Sequence, residues 1–143
     1  MSDYRLRIVI RGVFFNEKGE VLLINSADGE FWTLPGGGLE ENESLADAAQ
    51  RELNEETGFS GTADKIIFVQ EFISQRYGKQ LEVFFSGKII EGKQENADHE
   101  SKFFDKESFR SIVFYPKVLK PFVLSGSADY LPRFGKKSDN VLQ

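Results

Sequence analysis

One stretch limits the architectures open to this chain more than any other: Gly37 to Phe59, which reads G-x5-E-x7-R-E-L-x-E-E-x-G-F. Glu43, Glu52, Glu55, Glu56 and a single arginine, Arg51, fall on one short helix and the loop that feeds it. Ser44 is placed to cap that helix, with Asp47 three residues on as a weaker variant of the capping box. Gly58 follows as its left-handed terminator. Upstream, Pro35 and the three glycines Gly36 to Gly38 are expected to break regular structure.

Advancing about 100° per residue from Leu45 puts Leu45, Ala46, Ala49 and Leu53 in one apolar arc. Glu52, Glu55 and Glu56 gather on its flank, at spacings that make their carboxylates neighbours. Ala48 falls among them, and its small side chain leaves space there. Such a face can be no more than a solvated acidic surface, with Arg51 and Glu55 paired one turn apart. Two features speak for more. Glu56 lies within the apolar arc, where an unpaired carboxylate is costly. Three like charges near the negative end of the helix dipole also repel one another. A divalent cation relieves both, and an oxygen-only donor set favours Mg²⁺ or Mn²⁺ over Zn²⁺.

The rest of the chain reads as strands with two helices. Arg5 to Phe15 alternates, Leu6, Ile8 and Ile10 against Arg5, Arg7 and Arg11, as a half-buried strand does. Asn16 to Gly19 is a turn, Val21 to Ile24 a hairpin partner, and Asp28-Gly29 a second turn before Phe31 to Leu34. Ile66 to Ile73 and Leu81 to Ile90 are strands joined across Arg76 to Lys79. Glu91 to Lys102 reads as an exposed loop, with Phe103 and Phe104 returning to the core. Pro116 to Leu124 fits a last helix that Pro121 would kink. This pattern gives an α/β domain with helices packed on a mixed sheet. The expected organisation is one domain over residues 1–143, with 128–143 as a loosely ordered tail.

With every fixed position present, Gly37 to Phe59 resembles the Nudix box, and the chain is similar to Nudix hydrolases. The resemblance implies an α/β/α sandwich with a mixed sheet and the box as its loop-helix-loop catalytic unit. It implies Glu52, Glu55 and Glu56 as metal-binding glutamates and Arg51 as the arginine that orients one of them. Gly37 would lend a backbone carbonyl, Glu43 would support the helix and Arg51, and Glu40 would contribute through water. The activity implied is a Mg²⁺-dependent pyrophosphohydrolase, with Mn²⁺ able to substitute. Its substrate would be a nucleoside diphosphate linked to another moiety: a nucleoside triphosphate, dinucleoside polyphosphate, ADP-ribose or nucleotide sugar. The proton of the attacking water goes to a box glutamate or to a downstream one. Glu100, three residues before Phe103, is the downstream candidate, with Glu95 and Asp98 as alternatives.

Arg11 on the first strand, Trp32 before the glycines and Tyr77 are the candidate substrate contacts; a core role for Trp32 and a turn role for Tyr77 compete with this. A tyrosine at the position of Tyr77 is associated in the family with diadenosine polyphosphates. A proline slightly earlier goes with ADP-ribose, but Ser74 and Gln75 stand there. Arg7, Arg76, Lys79 and Lys117 are further cations that can meet phosphate, and His99 is a surface or hydrogen-bonding residue. The formal net charge of −5 disfavours nucleic acid and anionic membrane as partners. No apolar run serves as a signal or spanning segment, so the default is a cytoplasmic protein, with a homodimer left open. The absence of cysteine excludes disulfides and thiolate metal sites. A catalytically silent nucleotide- or metal-binding module is the alternative to an enzyme, but such modules lose box carboxylates and here all are kept.

Overall fold

The alternating segment near the N-terminus is the centre of the sheet in the computed structural model, which describes residues 5–94, 99–129, 131 and 135–136. Strand β1 (Arg7–Phe15) runs parallel to β6 (Gly78–Gly92) over its whole length, from Arg7 opposite Gln80 to Phe15 opposite Lys88. Ile10 and Phe14 are buried on one face and Val13 on the other, so the strand is covered on both sides rather than half-buried. Leu6 precedes it and is 44% exposed. The predicted hairpin with β2 (Val21–Asn25) survives as one register pair, Phe15 with Val21. Strand β2 then pairs with β3 (Trp32–Thr33) and with β7 (Ser101–Phe104), where Phe104 re-enters the core as expected.

The three glycines do not break regular structure. They form strand β4 (Gly36–Gly38), antiparallel to Val9–Arg11 of β1. Glycine is required here for closeness: a Cβ on Gly36 would strike the Ile10 carbonyl oxygen, and one on Gly37 would lie 2.5 Å from Glu52 Oε1. Helix α1 (Leu45–Thr57) follows, its Ser44 Oγ accepting the Asp47 N–H at 3.0 Å. Gly58, at φ 82°, ends it by donating to the Asn54 carbonyl at 2.9 Å. Ala48, Ala49 and Leu53 are buried, whereas Leu45 and Ala46 are only partly so. The small Ala48 side chain is thus spent on bringing the helix close to the sheet, and leaves no ligand space.

Strand β5 (Phe59–Ser74) is longer than its apolar core and pairs antiparallel with β6 through three register shifts. Helix α2 (Lys106–Arg110), capped by Asp105 at the Ser108 N–H (2.8 Å), is absent from the sequence pattern because five residues show no helical period. A 3₁₀ turn at Lys117–Leu119 leads into α3 (Lys120–Ser125). Pro121 sits in the first turn of α3, where its missing N–H is an orphan anyway, so it opens the helix instead of kinking one. Strand β8 (Gly135–Lys136) lies parallel to Gln70 and Glu71 of β5.

The described strands make one mixed sheet, in the order β3-β2-β1-β6-β5-β8 with β4 and β7 branching from β1 and β2. Helix α1 seals one face over Ile10, Phe14, Leu22 and Phe85. Residues of α2 and α3 close the other over Phe68, Phe84 and Phe104. Each fully buried phenylalanine of these cores, such as Phe84 or Phe114, stabilises the fold by about 1.5–3 kcal/mol. Of the stretch read as a loose tail, residues 128, 129, 131, 135 and 136 are described, and Ala128 and Leu131 pack against the second core. Glu95 and Asp98 lie outside the described residues. Among the described residues no helix is long and apolar enough to cross a membrane.

Candidate active site

Four carboxylates converge on Arg51. Its Nε and Nη2 donate to the two oxygens of Glu43 at 3.0 and 2.8 Å, a forked pair that fastens the loop to α1. Nη1 donates to Glu52 Oε1 at 2.9 Å and Glu55 Oε2 at 3.1 Å, and lies 3.6 Å from Glu40 Oε1. Nη2 also reaches the Gly38 carbonyl at 3.0 Å, which ties β4 to the helix. The Arg51 hydrogen bond, helped by the Glu40 N–H, holds Glu43 below the usual carboxylate range, and Glu43 in turn raises Arg51. Arg51 therefore orients Glu52 and Glu55 together, while Glu43 anchors Arg51.

Glu56 has a different environment. Its Oε1 accepts the Gly36 N–H at 2.6 Å, and burial pushes its pKa up to about 7. The Gly36 N–H and the Arg11 charge pull it down, and Glu52 and Glu55 push it further up. The expected conflict of a carboxylate within the apolar arc is thus present, and protonation near neutrality relieves it. Glu52, with a side chain 14% exposed, lies against the bare Cα of Gly37.

As placed, no group of three or more His, Cys, Asp or Glu among the described residues is close enough to hold an ion, and Arg51 Nη1 occupies the gap between Glu52 and Glu55. The donor set nevertheless fits a hard divalent cation. It is oxygen-only, it includes a carboxylate whose charge burial penalises and a cation would compensate, and its glycine strand admits Glu52 to the backbone at Gly37.

The remaining candidates separate. Glu100 is exposed; its carbonyl accepts the Asn25 N–H at 2.8 Å and its Oε2 meets Asn25 Nδ2 at 3.4 Å. It lines a polar depression of about 350 Å³ with His99 and the Asn25–Gly29 turn, outside the Arg51 cluster. Strand β7, which follows Glu100, nevertheless meets the start of β5 just beyond α1, where the Phe103 and Phe59 rings lie edge-on at 5.1 Å. Trp32 is partly buried, edge-on to Phe104 at 4.8 Å, and its backbone bonds Val113 and Tyr115. Tyr77 stands 49% exposed in the β5–β6 turn, with Arg7 Cζ 4.2 Å from its ring centroid.

Arg11 is already engaged. Its Nε pairs with Glu82 Oε2 at 2.7 Å and its Nη1 donates to the Leu34 carbonyl at 3.1 Å. The other Glu82 oxygen accepts Gln70 Nε2 at 2.7 Å, so a nearly buried carboxylate is satisfied from both sides. Sequence reasoning did not find Glu82 and Gln70. The available signal was a carboxylate inside the apolar run Leu81 to Phe85, which a buried cation must answer.

A glycine strand, a capped helix and an arginine-bound carboxylate cluster on a mixed sheet define a Nudix-type architecture. The model of the NUDIX domain matches residues 5–121, and the chain belongs to the Nudix family. It is 41% identical over 66 residues to NUDT18 of Danio rerio, an 8-oxo-dGDP phosphatase, covering 44% of this chain and 20% of that protein. It is 32% identical over 95 residues to the RNA pyrophosphohydrolase of Pasteurella multocida, covering 66% of this chain and 47% of the relative. The chain thus spans about half, or less, of the length of these relatives. A solved Nudix hydrolase from Nitrosomonas europaea shares the fold, with a TM-score of 0.72 and 22% identity over 93% of this chain and 80% of that one. Nudix proteins generally use divalent metal cations.

Proposed function

We propose that the protein is a metal-dependent pyrophosphohydrolase that opens a phosphoric anhydride in a nucleoside diphosphate derivative. The observation that carries this reading is the Glu52 carboxylate, aligned by Arg51 and set where a Cβ of Gly37 would be. Glu52, Glu55, Glu56 and the Gly37 carbonyl would hold Mg²⁺, or Mn²⁺ in its place. Bound cations supply charge neutralisation at the anhydride oxygens and a lower pKa for an attacking water.

The residues of the chain do the rest. Glu43 and Arg51 fix the carboxylate geometry before substrate arrives, so little reorganisation is left for the reaction. Glu56 is tethered to the Gly36 N–H, so the helix and the glycine strand move as one. The proton of the attacking water goes to Glu52 or Glu55, or to Glu100 if the loop brings it over the site. Trp32 supports the strand that leads into the glycines, and Tyr77 offers an exposed ring beside Arg7 of β1.

The 8-oxo-dGDP phosphatase and RNA pyrophosphohydrolase among the relatives favour substrates with a nucleoside polyphosphate end. We place nucleoside di- and triphosphates ahead of ADP-ribose, as Ser74 and Gln75 replace the proline associated with the latter. The test is a substrate panel with Mg²⁺ in ¹⁸O-water, resolving products by mass. Cleavage that places one label in the nucleotide product, or else in the phosphate or pyrophosphate released with it, is the expected result. Absence of cleavage of every anhydride in the panel would reject the reading.

A further inference from the structure

Three arginines stand around the glycine strand, and two of them are neutralised. Arg51 is held by Glu43, Glu52 and Glu55, and Arg11 by Glu82. Arg7 is different. It lies on the same face of β1 as Arg11 and is half-buried, yet no carboxylate pairs with it among the described residues. Toward the described residues it makes one long hydrogen bond, from Nη1 to Gln80 Oε1 at 3.5 Å. The rest of its support is the Tyr77 ring, 4.2 Å from Cζ. An arginine carries five N–H donors, so most of its hydrogen-bonding capacity is left to solvent or a ligand.

The position is as telling as the missing partner. A Cβ on Gly38 would lie 3.1 Å from Arg7 Nη2, so the guanidinium rests against the bare end of the glycine strand. Gly38 adjoins Gly37, and its carbonyl is the one bound by Arg51. Strand β4 therefore separates carboxylates on the α1 side, at Gly37, from a cation at Gly38 that no carboxylate of the described residues pairs. Tyr77 presses on the guanidinium and fixes its plane, which lowers the entropy lost when a forked anion docks. Arg76 Cζ, 5.0 Å from the same ring, adds a second positive charge.

We propose that Arg7, braced by Tyr77, is the receptor for a phosphoryl group of the substrate that lies outside the scissile linkage. A guanidinium with free parallel donors matches phosphate oxygens, and a site of overall acidic protein needs such a cation to retain a polyanion. The inference rests on the pyrophosphohydrolase reading and narrows it to substrates bearing a phosphoryl group beyond the cleaved diphosphate. A nucleoside triphosphate carries one; a nucleotide sugar does not. Tyr77 is a positioning residue here, acting through Arg7.

The test compares a nucleoside triphosphate with the nucleotide sugar of the same base. KM and kcat are measured for both, together with calorimetric affinity for a triphosphate in which methylene groups replace both bridging anhydride oxygens. Arg7→Ala is expected to raise KM and Kd for the triphosphate pair about tenfold while kcat stays within about twofold. Constants for the nucleotide sugar stay unchanged. Arg7→Lys recovers part of the loss, Tyr77→Phe keeps wild-type affinity, and Tyr77→Leu loses several-fold. Equal affinity of Arg7→Ala and wild type for the methylene analogue would overturn the receptor while leaving turnover intact. Binding of the analogue that depends on Arg7, without turnover of any anhydride in the substrate panel, would support the receptor and defeat the hydrolase reading instead.

Discussion

Glu56 is the residue at which burial and charge conflict most. Its pKa, pushed by burial to about 7 from an ordinary 4.5, means that the folded state binds a proton the unfolded chain has released. Without metal, the contribution of Glu56 to stability is therefore full below about pH 4.5, falls as pH rises toward 7, and is gone above. The loss is at most about 3 kcal/mol. Denaturant titrations in chelator at pH 5 and pH 8 should show this decline, and Glu56→Gln should flatten it. Apparent Mg²⁺ affinity should move the opposite way, rising through pH 7 as the competing proton leaves. Arg11 gives a second prediction at this scale. Because it satisfies a nearly buried Glu82, Arg11→Ala should destabilise the fold by about 3 kcal/mol and change KM little. A large rise in KM at unchanged stability would return Arg11 to the substrate.

Among the elements, the glycine strand and the helix it faces carry the argument. Gly36→Ala and Gly37→Ala look equivalent in sequence but meet different obstacles. At Gly36 the new Cβ meets backbone, the Ile10 carbonyl and Arg11 Cα, so a cost of about 1–3 kcal/mol in stability is expected. At Gly37 it meets the far end of Glu52, which can swing aside. That variant should melt close to wild type and lose on the order of a hundredfold in turnover, because the displaced carboxylate is the one Arg51 aligns. Melting curves and kcat/KM on the two proteins separate these outcomes.

The same elements show what was legible in sequence. The helix was readable from end to end, since Ser44, Gly58 and the Leu45–Leu53 stripe are local signals. The glycine strand was not, because a breaker and a close-approach residue are written with the same letter, and only the partner strand decides between them. Helix α2 and the opening role of Pro121 were hidden for a related reason. Short elements have too few residues to show a period, and a proline means one thing in a first turn and another within a helix.

For the molecule as a whole, sequence gave the layers but not the centre. The apolar runs announced a mixed sheet with helices, and the box announced the family. That β1 is the central strand depends on its parallel pairing with β6, a contact between distant segments that no local pattern records. The pairing of Glu52 and Glu55 on Arg51 was legible because helical geometry makes them neighbours, whereas the turn of Glu56 toward the Gly36 N–H was not. The cationic side was not, as Arg7 and Arg11 occupy equivalent positions on one strand face and differ only in that Glu82 answers Arg11. Among the described residues the fold makes a thin glycine partition, with acids on one side and, on the other, an arginine that no carboxylate pairs.

That arrangement is tested most directly by locating the cation. Mn²⁺ titrated into the protein with a methylene-bridged nucleotide, followed by paramagnetic broadening of assigned amides, reports where it binds. The account predicts broadening centred on Gly37, Glu52, Glu55 and Glu56, lost together with turnover in Glu52→Gln and Glu56→Gln. Broadening centred elsewhere, or full turnover in both variants, would contradict it.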